Sequence, residues 1–174
     1  DRLIAPRYAQ EFKKLIANYG TLIKNRKLLS PYIRESLAIK KAVVEADEFD
    51  RGERNKFNYG HTFGHALESA TNYGIKHGQA VTVGMDLANY ISYKTGLMDE
   101  AVFRKLHAAL TLNFPAEPLR ALPLDRYFTA LSKDKKNIGA NIGCILAAGP
   151  GKLVKKQIPA DAGFRSLVKA YFML

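Results

Sequence analysis

The hydrophobic and polar positions of this chain repeat mainly with the spacing of α-helices. Apolar residues recur every three or four positions over residues 6–18 and 29–46, and few helix breakers interrupt either segment. Residues 80–94 form a longer, more apolar pattern, which ends at Gly96 as a helix commonly does. Three further helices are predicted over residues 100–111, 124–133 and 162–172.

The pattern changes near the C-terminus. Residues 142–147 and 153–158 flank Gly149, Pro150 and Gly151, and this arrangement predicts a β-hairpin. We therefore expect a mainly α fold: a single multi-helical domain over residues 1–174, with a small β-hairpin near its end. The sequence contains no glycine-rich phosphate-binding loop between a strand and a helix, so a nucleotide cofactor would need another domain.

The middle of the chain is polar over residues 47–58, which are predicted to connect two helices. Asn58 is an acceptable N-cap for a helix over residues 59–71. The following residues break the helical pattern, and His77 and Gly78 are predicted to lie in a turn.

Five polar residues in this region repeat with helical spacing. Arg54, Asn58, His61, His65 and Glu68 are separated by 4, 3, 4 and 3 positions. At about 100° per residue they would fall within roughly 80° of arc on a continuous helix. The spacing therefore predicts one polar stripe.

Two glycines interrupt the same predicted helix. Gly60 and Gly64 would each cost about 1 kcal/mol relative to alanine inside a helix. Their four-residue separation predicts that backbone or a ligand approaches closely on that side.

Three of the four histidines lie within seventeen residues. His61 and His65 are one helical turn apart and could reach a common metal ion; packed or surface histidines are the alternative explanation. Gly78 would let the chain turn so that the ring of His77 points back towards the helix. The cluster predicts a metal site, and the isolated His107 is predicted to have a structural role.

The chain carries 27 Lys and Arg residues against 16 Asp and Glu, and this formal charge of +11 is typical either of a protein with an anionic partner or of a solvated basic surface. The basic residues are scattered and form no nucleic-acid-binding motif, so a phosphorylated, carboxylated small molecule is favoured over nucleic acid.

No apolar run approaches the roughly 20 residues of a membrane span. The single cysteine, Cys144, fits a reducing cytosol, and the start at Asp1 without a leader predicts a cytoplasmic fragment or processed form.

The segments 58–68, NYGHTFGHALE, and 77–81, HGQAV, resemble the signature of the 3-dehydroquinate synthases, which are sugar-phosphate cyclases. The resemblance extends to residues 39–54 and to residues 134–136, DKK. It implies the C-terminal, metal- and substrate-binding domain of the dehydroquinate synthase-like fold, with the N-terminal NAD-binding domain absent from this chain. It also implies a homodimer in the full enzyme.

The resemblance implies a specific metal site. A zinc ion, or another divalent metal such as cobalt, would be bound by His61, His77 and the residue at position 10, where the family has glutamate and this chain has Gln10. His65, which spacing alone suggests as a ligand, then resembles a histidine close to the substrate phosphate.

The remaining implied contacts are with substrate. Arg54 and Lys40 resemble positions that hold a carboxylate, Asn58 and Lys135 resemble phosphate or hydroxyl contacts, and Lys13 resembles a substrate-binding lysine. The implied reaction of the shikimate pathway converts 3-deoxy-arabino-heptulosonate 7-phosphate into 3-dehydroquinate with loss of phosphate, and uses NAD catalytically. The isolated domain is expected to be inactive, because NAD would bind to the missing domain.

Two departures from the family pattern keep other interpretations open. Gln10 replaces the metal-binding glutamate, and Gln79 replaces a second glutamate. An amide is a poorer zinc ligand than a carboxylate. The chain is therefore interpreted as a dehydroquinate synthase domain, as a diverged sugar-phosphate cyclase with another substrate, or as a non-catalytic domain that binds an anion or a metal.

Overall fold

The computed structural model describes residues 4–22, 24–49, 52–117, 119–149 and 151–174. Its helices are α1 (Ile4–Leu22), α2 (Leu29–Ala46), α3 (His61–Ala70), α4 (His77–Lys94), α5 (Glu100–Leu110), α6 (Leu124–Ser132) and α7 (Ala162–Phe172). Short 3-10 helices cover Arg26–Leu28, Glu53–Asn58, Thr111–Asn113 and Leu119–Ala121. Two antiparallel strands, β1 (Asn141–Ala147) and β2 (Leu153–Pro159), form the hairpin.

The predicted mainly α fold with a small hairpin near the C-terminus is confirmed. Pro150, in the predicted turn, lies outside the described residues. Within the described ranges, every helix is too short or too polar to span a lipid bilayer.

Helix α4 lies at the centre of the fold. Its middle is buried because α3, α5, α7 and β1 pack around it. Phe63 and Leu67 of α3 share one apolar core with Leu87 and Ile91 of α4, and Tyr127 of α6 packs against α3.

Helices α3 and α4 run in opposite directions and approach so closely that their contact requires glycine. A Cβ on Gly84 would lie 2.0 Å from the carbonyl oxygen of Gly60, and one on Gly64 would lie 2.9 Å from that of Ala80. Neither distance is compatible with a side chain. The close approach predicted from Gly60 and Gly64 is therefore confirmed, and the approaching group is the backbone of α4.

The structure corrects the predicted start of the central helix. Gly60 has a φ of 79° and precedes α3 in a left-handed conformation, so the helix begins at His61 and Asn58 is not its N-cap. A side chain at position 60 would be strained by this φ and would also clash with Met85 and Val81.

The segment before α3 is not a simple connector, because it contains the 3-10 helix Glu53–Asn58. The carboxylate of Asp47 accepts hydrogen bonds from the backbone N–H groups of Gly52 and Arg54, at 2.8 and 3.0 Å, and so stabilises the start of this helix. Arg54 and Asn58 therefore lie outside α3, and the predicted continuous polar stripe is wrong.

His77 is the first residue of α4 and does not lie in a turn as predicted. Lys76 is the N-cap in an extended conformation, and its carbonyl oxygen accepts hydrogen bonds from the N–H groups of Gln79 and Ala80. Gly78 masks this start in the sequence, since glycine lowers helix propensity by about 1 kcal/mol.

The apolar pattern of α4 conceals buried polar residues, which are Thr82, Asp86, Asn89 and Ser92. The fully buried carboxylate of Asp86 accepts hydrogen bonds from His107 of α5 at 2.7 Å and from Tyr171 of α7 at 2.9 Å. The side-chain oxygen of Asn89 accepts one from the hydroxyl of Tyr59. These bonds tie α4 to three neighbouring segments, and His107 has the structural contact that its isolated position predicts.

We expect His107→Gln to reduce the pH dependence of stability. The hydrogen bond to Asp86 raises the pKa of His107 above its ordinary value, against the opposing effect of burial. A pKa raised in the folded state stabilises the protein below the unfolded value of about 6.5, and this stabilisation is lost as the pH rises through the folded pKa. In urea denaturation, the free energy of unfolding of the unmodified chain should therefore exceed that of the variant by more at about pH 6 than at about pH 8. Equal differences at both pH values would contradict a charged pair.

Candidate metal centre

The rings of His61, His65 and His77 lie next to one another beside the contact of α3 and α4. The ring centroids are 5.4 Å apart for His61 and His65, 5.6 Å for His61 and His77, and 5.8 Å for His65 and His77. Two imidazoles bound to one tetrahedral zinc ion have centroids about 5 Å apart, given Zn–N bonds of about 2.1 Å. The separation of each pair of rings is therefore close to that of two imidazoles bound to one metal ion.

The helix hairpin explains this convergence. His61 and His65 lie one turn apart on α3, and His77 begins the helix that packs antiparallel to it. Because the glycine contact lets the two backbones touch, residues separated by up to sixteen positions in the chain become neighbours.

His61 is held in a form that can bind a metal. Its Nδ1–H donates to the carbonyl oxygen of Tyr59 over 3.2 Å; because a carbonyl only accepts, the Nε2 lone pair is left for another partner. Burial lowers the pKa of His61, and the charges of Lys136 and of the other two histidines lower it further, while the hydrogen bond to Tyr59 raises it. The net lowering favours the neutral imidazole, which is the metal-binding form.

His77 contacts a carboxylate. Its Nδ1 lies 3.1 Å from Oε1 of Glu68, a residue that is only 8% exposed. The donor atoms of His65, Glu68 and His77 all lie within 4.8 Å of one another. Glu68 belongs to the predicted polar stripe, but no role could be assigned to it from sequence.

These donors suit a divalent metal ion, since imidazole nitrogen and carboxylate oxygen are usual zinc ligands. Two overlapping donor sets are available: one combines His61 with His77, and the other combines His65, Glu68 and His77. Both sets contain His77, so a metal bound at this cluster would contact that residue in either arrangement.

A lysine lies close to the histidines. Lys136 is half-buried, its Nζ lies 3.3 Å from Oδ2 of Asp134, and its charge acts on His61. Its carbonyl oxygen accepts a hydrogen bond from Gln157 of β2, which fixes the backbone at this point. The adjacent Lys135, which is the predicted substrate contact, is exposed. The hairpin contact decides which of two neighbouring lysines turns inwards, and local sequence carries no signal for it.

The other predicted site residues lie on separate elements. They are Gln10 and Lys13 on α1, Lys40 on α2, Arg54 and Asn58 on the 3-10 helix before α3, and Lys135 between α6 and β1. The glutamine and the three lysines are exposed, whereas Arg54 and Asn58 are half-buried. In the part of the chain that the structure describes, no hydrogen bond or ion pair joins any of the six to the histidines. Their roles in metal or substrate binding stay predictions.

Within the described residues, Arg54 uses only part of its hydrogen-bonding capacity. One N–H of its guanidinium donates to the carbonyl oxygen of Glu48 at 2.7 Å, and a guanidinium has five such donors. Lys155 of β2 donates to Asn55 on the same 3-10 helix at 3.2 Å. The hairpin therefore adds positive charge beside this helix, which suits an anionic ligand.

Comparison with known proteins identifies the family. The model of the 3-dehydroquinate synthase C-terminal domain matches residues 5–137. The 3-dehydroquinate synthase of Dictyoglomus thermophilum is 38% identical over 150 residues, which cover 86% of this chain and 41% of that protein. The 3-dehydroquinate synthase of Helicobacter hepaticus is 37% identical over 140 residues, which cover 79% of this chain and 39% of that protein. The chain thus spans about two fifths of the length of these curated relatives.

Solved structures of sugar-phosphate cyclases share the fold. The 2-deoxy-scyllo-inosose synthase complexed with carbaglucose-6-phosphate, NAD+ and Co2+ is 30% identical, with a TM-score of 0.69 over 84% of this chain and 41% of that one. The 2-epi-5-epi-valiolone synthase of Streptomyces hygroscopicus, with NAD+ and Zn2+ bound, is 20% identical, with a TM-score of 0.76 over 95% of this chain and 46% of that one. At this lower identity the second likeness concerns the fold alone. By its family match, its relatives and its fold, the chain belongs to the 3-dehydroquinate synthase C-terminal domain family.

Proposed function

We propose that this chain forms the metal- and substrate-binding part of a sugar-phosphate cyclase of the dehydroquinate synthase type. The observation that carries the proposal is the convergence of His61, His65, His77 and the nearly buried Glu68 beside one helix contact. In the proposed enzyme, an NAD-binding domain or chain completes the active site and two copies form a homodimer. The family match and the NAD+ and Co2+ bound to 2-deoxy-scyllo-inosose synthase support this assignment.

The proposed metal ligands are His61, His77 and Gln10. When bound, a divalent cation such as zinc or cobalt would polarise a substrate hydroxyl so that it loses its proton near neutral pH. The carbonyl of Tyr59 keeps the Nε2 lone pair of His61 available for this site.

The proposed substrate contacts neutralise anionic groups. His65 is the proposed phosphate contact, and Lys136, whose charge acts on the neighbouring His61, adds positive charge to the same cluster. Arg54 binds a carboxylate through its guanidinium fork, assisted by Lys40 as a point charge. The other proposed contacts, to phosphate or hydroxyl groups, are Asn58, Lys135 and Lys13.

The proposed substrate is 3-deoxy-arabino-heptulosonate 7-phosphate, which would yield 3-dehydroquinate and phosphate. The 3-dehydroquinate synthases at 33 to 38% identity support this choice. A second candidate is cyclisation of a sugar phosphate without a carboxylate. The 30% identity to an enzyme complexed with carbaglucose-6-phosphate favours it, as does the hydrogen bond that engages Arg54 with Glu48.

A non-catalytic anion- or metal-binding domain is the remaining candidate. Gln79, at a position where the family has glutamate, donates its Nε2–H to the carbonyl oxygen of Phe114 at 3.2 Å, so its amide serves packing. Gln10 is a weaker metal ligand than a carboxylate.

The test combines the chain with the NAD-binding domain of a 3-dehydroquinate synthase, zinc and NAD, and measures phosphate release. We expect release from 3-deoxy-arabino-heptulosonate 7-phosphate, stopped by a chelator. Release only from a sugar phosphate that lacks the carboxylate would favour the second candidate. Metal binding without release from either compound would favour the non-catalytic domain.

In the same assembly, Arg54→Lys should weaken the binding of a carboxylate-bearing substrate analogue about 10-fold more than that of its decarboxylated counterpart. The reason is that lysine cannot form the bidentate hydrogen bonds that a guanidinium makes with a carboxylate. Calorimetric titration of both analogues measures this difference. Arg104→Lys is the matched control, since Arg104 is exposed and pairs with Glu100 on α5. Equal losses for the two analogues would count against a carboxylate contact at Arg54.

A further inference from the structure

Glu68 is a nearly buried acid that contacts one ring nitrogen of His77. The residue is 8% exposed, and Oε1 lies 3.1 Å from Nδ1. Among the residues that the structure describes, no lysine or arginine pairs with this carboxylate. The contact with Nδ1 of His77 is the one side-chain hydrogen bond recorded for this carboxylate within the described residues, so Glu68 and His77 fix each other's position.

The contact with Glu68 occupies Nδ1 of His77 and leaves Nε2, the other ring nitrogen, for a cation. An ionised carboxylate only accepts hydrogen bonds, so the His77 proton lies on Nδ1 and Nε2 keeps its lone pair. His61 is arranged in the same way, with its Nδ1–H donated to the carbonyl of Tyr59. Histidines that bind metals commonly donate their second ring N–H to a carboxylate or a carbonyl. Both imidazoles therefore present Nε2 as the free donor atom.

We propose that Glu68 is a positioning residue that holds His77 in the Nδ1–H tautomer and strengthens the attraction of its Nε2 for a divalent cation. This inference rests on the proposed metal site and assigns Glu68 a task separate from that of the ligands. If Glu68 instead bound the metal directly with His65 and His77, its oxygen would compete with the hydrogen bond to Nδ1. The observed contact of 3.1 Å favours the positioning role.

The test measures cobalt and zinc affinity together with the histidine tautomers. Glu68→Ala should weaken metal affinity roughly 10- to 100-fold, the usual effect of removing such a partner. In nitrogen NMR spectra of the metal-free chain, His77 should shift towards the Nε2–H tautomer. His61 should keep its Nδ1–H tautomer, because the carbonyl of Tyr59 is untouched. This signal reports that the packing of α3 against α4 is intact. Glu68→Gln keeps an acceptor and loses the charge, so its metal affinity should lie between that of the unmodified chain and that of Glu68→Ala.

Glu117→Ala is the matched control, because Glu117 is an exposed acid in the loop after α5 and its removal changes the net charge equally. If Glu68→Ala matched this control in affinity and in the His77 tautomer, the positioning role would be overturned. Complete loss of metal binding in both Glu68 variants would overturn it in favour of a direct ligand. Either result leaves the proposed function standing, whereas absence of metal binding by the unmodified chain overturns both. Should Glu68→Ala fail to fold, the affinity and tautomer of Glu68→Gln decide in the same way.

Discussion

Gly84→Ala lowers the free energy of unfolding by about 2 kcal/mol in our expectation, because overpacking of this contact outweighs the gain in helix propensity. The new Cβ would lie 2.0 Å from the carbonyl oxygen of Gly60 and 2.7 Å from the nitrogen of Gly64. Both are backbone atoms, so no side-chain rotation relieves the clash and α3 must move away from α4. Urea denaturation measures the loss.

Gly78→Ala is the control for this prediction. Gly78 lies in the same helix, but a Cβ there meets nothing within 4 Å. Its stability should be unchanged or slightly raised, since alanine has the higher helix propensity. Similar unfolding midpoints for the two variants would contradict the close approach of α3 to α4 at Gly84.

Metal binding should respond differently to the three histidines. His61→Ala and His77→Ala should each weaken zinc affinity by more than about 100-fold, because loss of a direct ligand exceeds the effect of losing an indirect partner. His65→Ala should leave zinc affinity largely intact, since its proposed contact is with phosphate. Competition with a chromophoric chelator measures all three affinities, and the same samples report zinc content.

The pattern of losses also separates the two donor sets. If His65→Ala removed the metal as completely as the other two variants, the role of His65 beside the phosphate would be wrong. If His65→Ala and His77→Ala lost the metal while His61→Ala kept it, the ligands would be the donor set that contains Glu68. That outcome would also contradict the positioning role of Glu68.

Helical periodicity was enough to locate several elements. The apolar pattern predicts α2 over residues 29–46 and α7 over residues 162–172, and the structure has Leu29–Ala46 and Ala162–Phe172. The hairpin strands agree to within one residue. These elements pack one apolar face against the core, so local spacing contains most of what defines them. Helix α1 extends beyond its predicted bounds, residues 6–18, at both ends.

Periodicity misled where a backbone contact decides the conformation. The spacing of Arg54, Asn58 and His61 fits one helix, yet Gly60 interrupts it in a left-handed conformation. This glycine packs against α4, and a single-residue φ leaves no trace in the spacing of the polar residues. The start of α4 was missed for a related reason, because Gly78 resembles a turn signal in the sequence.

The sequence by itself determined the helical class, the hairpin, the histidine cluster and the family, because these depend on periodicity and on motifs of contiguous residues. Only the tertiary structure decided that Glu68 contacts His77, that Lys136 lies near His61, and that Asp86 is paired inside an apolar helix. Those contacts depend on how closely α3, α4 and the hairpin pack. Packing distance is a property of two segments together, and the residue pattern of either segment alone does not contain it.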